Sequence, residues 1–177
     1  WANKQGVIPS ITLWDFWGGS LSLPDEKSIP PSFTKKGKEM IDSFAKEIET
    51  ALPNPLILVN QKRDFEKWYP TVCFDAWQNF MAFFPMGVRR LKGITEWQPM
   101  ASKMATEQGP YFACLNRIAA ELEPLIRTGG LPSWLTQVYH FQIIKTLSKT
   151  QKEGGILDKA AEEARKLISQ LEKTLGK

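Results

Sequence analysis

Ser32-Phe33-Thr34-Lys35-Lys36-Gly37-Lys38-Glu39-Met40-Ile41 is the point at which the character of this chain changes. On its N-terminal side Pro9, Pro24, Pro30 and Pro31 alternate with Gly6, Gly18 and Gly19, a spacing that leaves no room for a helix of useful length. On its C-terminal side Met40, Ile41, Phe44, Ile48 and Leu52 recur at intervals of three and four, with Thr34 in position to cap the first turn. The stretch therefore divides an irregular arm, residues 1–33, from a helical domain, residues 34–177, read as a single folding unit.

The helical pattern continues to the end of the chain. Asn54-Pro55 opens a second helix, with Asn54 as cap and Pro55 at a position where its missing N–H costs nothing. Pro70 is expected to break or kink it, after which Val72, Cys73, Ala76, Trp77, Phe80, Met81 and Phe84 carry an apolar face to Pro85. Short helices are expected over 87–93 and 95–104. Gly109-Pro110 starts a stronger one with Tyr111, Leu115, Ile118, Leu122 and Leu125 on one stripe, ended by Gly129-Gly130. Pro132 begins the next, and after Gly154-Gly155 a four-three seam of Leu157, Ala161, Ala164, Ile168, Leu171 and Leu175 marks the last. Strand patterns and internal repeats are absent. The expected fold is all-α, a bundle of about six to eight helices with an extended N-terminal arm.

The arm has one feature of its own. Trp14-Asp15-Phe16-Trp17-Gly18-Gly19 puts three aromatic rings within four residues, and that much ring surface must dock on something. Ile11-Thr12-Leu13-Trp14 has the only β character and reads as a short strand or extended segment lying across the body. Docking within the chain is preferred over a ring offered outward to a glycan or a partner. Trp68, Trp77 and Trp134 fall on or beside apolar helical faces and read as core.

Composition sets limits on function. The 177 residues are 42% hydrophobic and 11% aromatic, enough for a proper core, and the net charge of +4 is too small and dispersed to argue for nucleic acid. Cys73 and Cys114 lie apart in apolar surroundings and read as buried thiols, with a single disulfide as the alternative in an oxidising compartment. No apolar run is long enough to span a membrane and no export signal is evident; a first residue other than Met points to a fragment or processed product.

Catalytic chemistry finds little support. The one histidine, His140, lies among aromatics and reads as a structural, hydrogen-bonded residue. One His and two scattered Cys cannot supply a zinc site, and Glu47, Glu49, Glu121 and Glu123 have the pattern of solvated helix faces. No phosphate loop is present. No cofactor or metal is expected. Of the basic clusters, Lys145, Lys149 and Lys152 read as a solvated face, whereas the turn carrying Arg89, Arg90 and Lys92 could meet an acidic partner or anionic headgroups. Trp14, Asp15, Phe16, Trp17, Arg89, Arg90 and Lys92 are accordingly the candidate protein-interaction residues.

Several strings occur in a fixed order: Asp15-Phe16-Trp17-Gly18, then Ile29-Pro30-Pro31-Ser32-Phe33-Thr34-Lys35-Lys36-Gly37, then Trp68-Tyr69 with Ala76-Trp77 and Phe80, then Phe84-Pro85 with Gly87, then Pro110-Tyr111-Phe112 through Leu122-Glu123-Pro124, and Pro132 with Trp134-Leu135. This succession resembles the periplasmic region of TssM, the IcmF/VasK-type inner-membrane proteins of bacterial type VI secretion systems. The resemblance covers about residues 11–144. It implies a non-enzymatic scaffold in the membrane core complex, located in the periplasm, with other TssM copies, the outer-membrane lipoprotein TssJ and TssL as partners. The chain would be a helical middle part of that region, which leaves open whether the lipoprotein-binding surface lies within it. A cell-wall or glycan-binding module using Trp14 and Trp17 is the alternative, and a hydrolase the least favoured reading.

Overall fold

A computed structural model describes residues 8–128 and 130–152. Among the described residues the fold is all-α, with six α-helices and a single isolated antiparallel bridge, Ile11 to Ile29. The helices are α1 (Trp14–Trp17), α2 (Lys35–Ala51), α3 (Val59–Phe83), α4 (Gly93–Lys103), α5 (Pro110–Leu122) and α6 (Ser133–Lys152), joined in part by 3-10 turns. The seam from Leu157 to Leu175 lies outside the described residues. The chain divides into two compact units, Trp1–Cys114 and Leu115–Lys177. The arm, where it is described, thus belongs to the same unit as α2, α3 and α4.

α2 begins as its sequence requires. The Thr34 hydroxyl accepts the N–H of Gly37 at 3.0 Å and donates to the Pro31 carbonyl at 2.7 Å, so one side chain caps the helix and holds the preceding 3-10 turn, Pro31–Phe33. A Cβ on Gly37 would overlap the Pro31 oxygen, so no larger residue fits that approach. The carbonyls of the turn face α3: Ser32 accepts from the Tyr69 hydroxyl at 2.7 Å, and Phe33 from the Trp77 indole at 3.1 Å.

Asn54 caps through Leu56, but what it caps is a 3-10 turn, Pro55–Leu58, and the helix expected to open at Pro55 begins only at Val59; Pro70 does not interrupt it. α3 runs unbroken for 25 residues with Pro70 buried inside it. Proline removes only one N–H, which leaves the Glu66 carbonyl without its usual helical donor. The flanking turns hold because Tyr69, Cys73, Phe74, Trp77 and Phe80 are all buried there.

The arm departs most from expectation. The Ile11–Ile29 bridge, with bonds of 3.0 and 2.8 Å, folds it back into a loop instead of laying it out as a strand. Trp14–Trp17, expected to start from an extended segment, is a one-turn helix. Leu13 and Ile29 are fully buried at the base of the loop.

The second unit is built on its own contacts. Ile118, Leu122, Leu125, Leu135, Val138, Tyr139 and Ile143 are buried. The Tyr139 hydroxyl donates to the Ala119 carbonyl at 3.1 Å, and Asn116 accepts from Gln142 at 3.0 Å and Lys145 at 3.2 Å. His140, expected to be a structural, hydrogen-bonded residue among aromatics, is exposed. Its helix turns Val138 and Tyr139 inward and leaves the imidazole on the outer face.

Candidate functional site

Three features of the first unit bear on function: a clasp, a groove beside it, and a hairpin with exposed apolar side chains. The clasp holds the arm. Trp17 is 1% exposed, with its ring centroid 5.7 Å from Phe84 and 5.6 Å from Tyr111, the latter edge-on. Phe16 packs at 5.4 Å on Phe84 and 6.0 Å on Phe80. Offset and edge-to-face pairs of this kind add to simple burial. Gly87 completes the socket, because a Cβ there would overlap the pyrrole edge of the Trp17 indole.

A polar rivet closes the same clasp. The Arg90 guanidinium donates to the Gly18 carbonyl at 2.9 Å and pairs with Glu26, whose other oxygen accepts the Leu13 N–H at 3.2 Å. The Arg90 carbonyl in turn accepts the Leu21 N–H at 3.0 Å. Gly19 lies directly over it with φ of +82°, and a side chain there would collide with that carbonyl. Both charges are largely shielded from water, which strengthens their attraction and makes either one costly to leave alone.

The expected interaction residues therefore separate. Trp17 and Arg90 are buried and engaged within the chain, and Phe16 is half-covered by Phe80 and Phe84. Trp14, Asp15, Arg89 and Lys92 remain exposed. Glu26 gave no signal in the sequence, since an isolated carboxylate in a Pro/Ser-rich loop belongs to no periodic pattern.

Beside the clasp, α1 and α4 enclose an open groove of about 660 Å³ lined by Trp14, Asp15, Glu96, Met100 and Lys103 among others. Trp14 is 60% exposed on its edge. One oxygen of Asp15 accepts the Thr12 N–H at 2.6 Å and the Thr12 hydroxyl at 3.1 Å. One oxygen of Glu96 accepts the N–H groups of Lys92 at 2.6 Å and Ser20 at 3.3 Å. The Lys92 N–H, with the Ser20 contacts behind it, holds the Glu96 carboxyl below its usual range.

The hairpin of α2 and the first half of α3 is the opposite of the clasp. Along α2 only Gly37 is buried, while Phe44, Leu56, Ile57, Val59 and Trp68 are exposed. A shallow apolar groove of about 240 Å³ runs between the two helices past Ile41, Phe44, Ile48 and Phe65. Trp68, expected in the core, stands outside it against Phe65 at 6.0 Å, whereas Trp77 is fully buried. The Lys62–Glu49 pair at 2.8 Å ties the helices across their rim.

Among the described residues no group of His, Cys, Asp and Glu could hold a metal ion, and no helix is long and apolar enough to cross a membrane. Cys73 and Cys114 are both buried, and no disulfide joins them. Burial pushes the Cys114 thiol up to about 12, far from a reactive thiolate at neutral pH. No family model, curated protein or solved structure matches this chain.

Proposed function

We propose that this chain is a non-enzymatic scaffold domain that works by packing against other protein chains. The observation that carries the reading is the α2–α3 hairpin, where Phe44 on α2, Leu56 and Ile57 in the connecting 3-10 turn, and Val59 and Trp68 on α3 are exposed, with an apolar groove between the two helices. Exposed apolar side chains in this number, on the same pair of helices as an apolar groove, support a contact with another protein. Both cysteines are buried and the Cys114 thiol is held neutral, which supports leaving nucleophilic catalysis aside.

The finer reading is a periplasmic part of a TssM-type inner-membrane protein in the membrane core complex of a type VI secretion system. It rests on the resemblance carried by the ordered strings. Its support is physical coherence: Phe16, Trp17, Phe33, Thr34, Gly37, Tyr69, Trp77, Phe80, Phe84, Gly87 and Tyr111, all within those strings, build the clasp and its neighbouring turn. Other copies of the chain, TssJ and TssL are the partners this reading proposes.

The test is a Phe44→Ser/Leu56→Ser double variant. Leu56 is 74% exposed and Phe44 45%, so the Leu56 change should cost little and the Phe44 change about 1 to 2 kcal/mol, and folding of the variant is checked by its thermal transition. Self-association by analytical ultracentrifugation, and copurification with TssJ and TssL, should weaken. Association that persists unchanged in the variant would remove the hairpin from the interface. A gene neighbourhood without sheath, tube or lipoprotein genes would sink the secretion-system reading.

A further inference from the structure

We propose that the groove between α1 and α4 binds a neutral saccharide chain. Its wall carries three kinds of group that a sugar ring uses together. Trp14 offers an aromatic face, 60% exposed, to the C–H face of a pyranose. Asp15 and Glu96 offer acceptors for paired hydroxyls, and Lys103 offers a donor for ring and hydroxyl oxygens.

The acceptors are already oriented. Asp15 is fixed through one oxygen by the backbone and hydroxyl of Thr12, and Glu96 through one oxygen by the N–H groups of Lys92 and Ser20. A carboxylate held in this way loses little rotamer freedom when a ligand arrives, so its hydrogen bonds contribute more to affinity. The hydrogen bonds from Lys92 and Ser20 favour the ionised form of Glu96. Trp14 is likewise set by its place in the one-turn helix, whose far end is locked by Trp17 in the clasp.

Other occupants fit less well. Phosphate or nucleic acid would meet two carboxylates. An apolar helix would desolvate both without supplying donors. A cationic peptide would satisfy the carboxylates but meet Lys103 on the same wall. The groove is also open to solvent, so a sugar chain can reach its wall without displacing protein. No hairpin residue lines it, so sugar binding here stands or falls separately from the scaffold role of the hairpin.

The experiment titrates the full chain with β-1,4-linked N-acetylglucosamine hexamer, cellohexaose and laminarihexaose, followed by tryptophan fluorescence and calorimetry. A lysine- and arginine-rich peptide serves as the competitor class. Binding of at least one oligosaccharide, weakening as the sugar chain is shortened, is expected. Trp14→Ala should weaken it at least about tenfold, the scale of one aromatic contact. Asp15→Asn and Glu96→Gln should each weaken it while preserving the thermal transition, and they carry the test should Trp14→Ala fail to fold. Absence of binding to all three sugars at millimolar concentration overturns the proposal. So does binding indifferent to these variants, or binding of the cationic peptide alone.

Discussion

Trp17 in the arm is 1% exposed, while Leu56 at the turn of the α2–α3 hairpin is 74% exposed. The arm is broken by proline and glycine and has almost no helical pattern; the hairpin has a clean three-four stripe and a proper cap. The irregular region nonetheless buries Trp17 and half-covers Phe16, and the regular one leaves Phe44, Leu56 and Trp68 exposed. Amphipathic periodicity describes which residues share a face, not whether anything in the chain covers that face. The arm is covered because the C-terminal half of α3, Gly87 and Tyr111 together make a socket for Trp17. Among the described residues the groove of the hairpin is lined by its two helices and the turn between them alone, and two helices cannot enclose a core between them.

That contrast can be broken from the clasp side most severely at Gly87. Gly87→Val places side-chain atoms where the Trp17 ring now lies, so the indole must leave its socket. A loss of roughly 3 to 5 kcal/mol is expected, the range for deleting a buried Trp or Phe, read as a shift in the urea midpoint. A stability close to wild type would mean that the arm does not depend on this socket.

Next in size is Glu26→Gln, which leaves the shielded Arg90 guanidinium without its counter-charge. About 3 kcal/mol is expected, at the lower end for a broken buried pair because both side chains retain some solvent contact. The double-mutant cycle with Arg90→Met should show strong coupling, and additive effects would argue against the rivet.

Thr34→Ala acts between the two regions, since the hydroxyl both caps α2 and holds the turn before it. A loss of about 1 kcal/mol is expected, and Thr34→Ser should recover most of it. An effect confined to α2, detected as local exchange of its amides without a change in global stability, would show that the hairpin opens independently of the clasp.

The smallest effect on stability, and the sharpest contrast in accessibility, comes from thiol labelling at neutral pH. Cys73 and Cys114 should react only after unfolding, whereas a thiol introduced by Ser43→Cys on the exposed face of α2 should react at once. Raising the pH extends the test. The Cys114 thiol is neutral in the fold up to about 12, while in the unfolded chain it ionises near its ordinary value of 9.0. Its contribution to stability is therefore complete below 9.0 and is lost progressively as pH rises toward about 12. Rapid labelling of the native protein would contradict the burial of the clasp side.

Much of the helical architecture was legible in the chain. The Thr34 cap, the Asn54-Pro55 start and the Gly109-Pro110 start are local chemical signals, each satisfied by atoms within a few residues. Pro70 was not legible in the same way, because its effect depends on whether neighbouring side chains hold the helix together across it. The candidate site was legible only as a cluster of residue types. The order Trp14-Asp15-Phe16-Trp17 says that rings must dock, but which ring turns inward is set by the socket at Phe84, Gly87 and Tyr111.

By itself, then, the sequence determined the all-α class, the Thr34 cap that starts α2 and the Asn54 cap of the turn before α3. These depend on backbone chemistry and short-range periodicity, which act within a turn or two. The tertiary structure alone decided that Trp17 and Arg90 are internal, that Glu26 supplies the counter-charge to Arg90, and that Trp14 and the hairpin face outward. Those outcomes depend on contacts between residues far apart in the chain, such as Trp17 and Tyr111, and no local pattern encodes which distant surface will meet a given side chain.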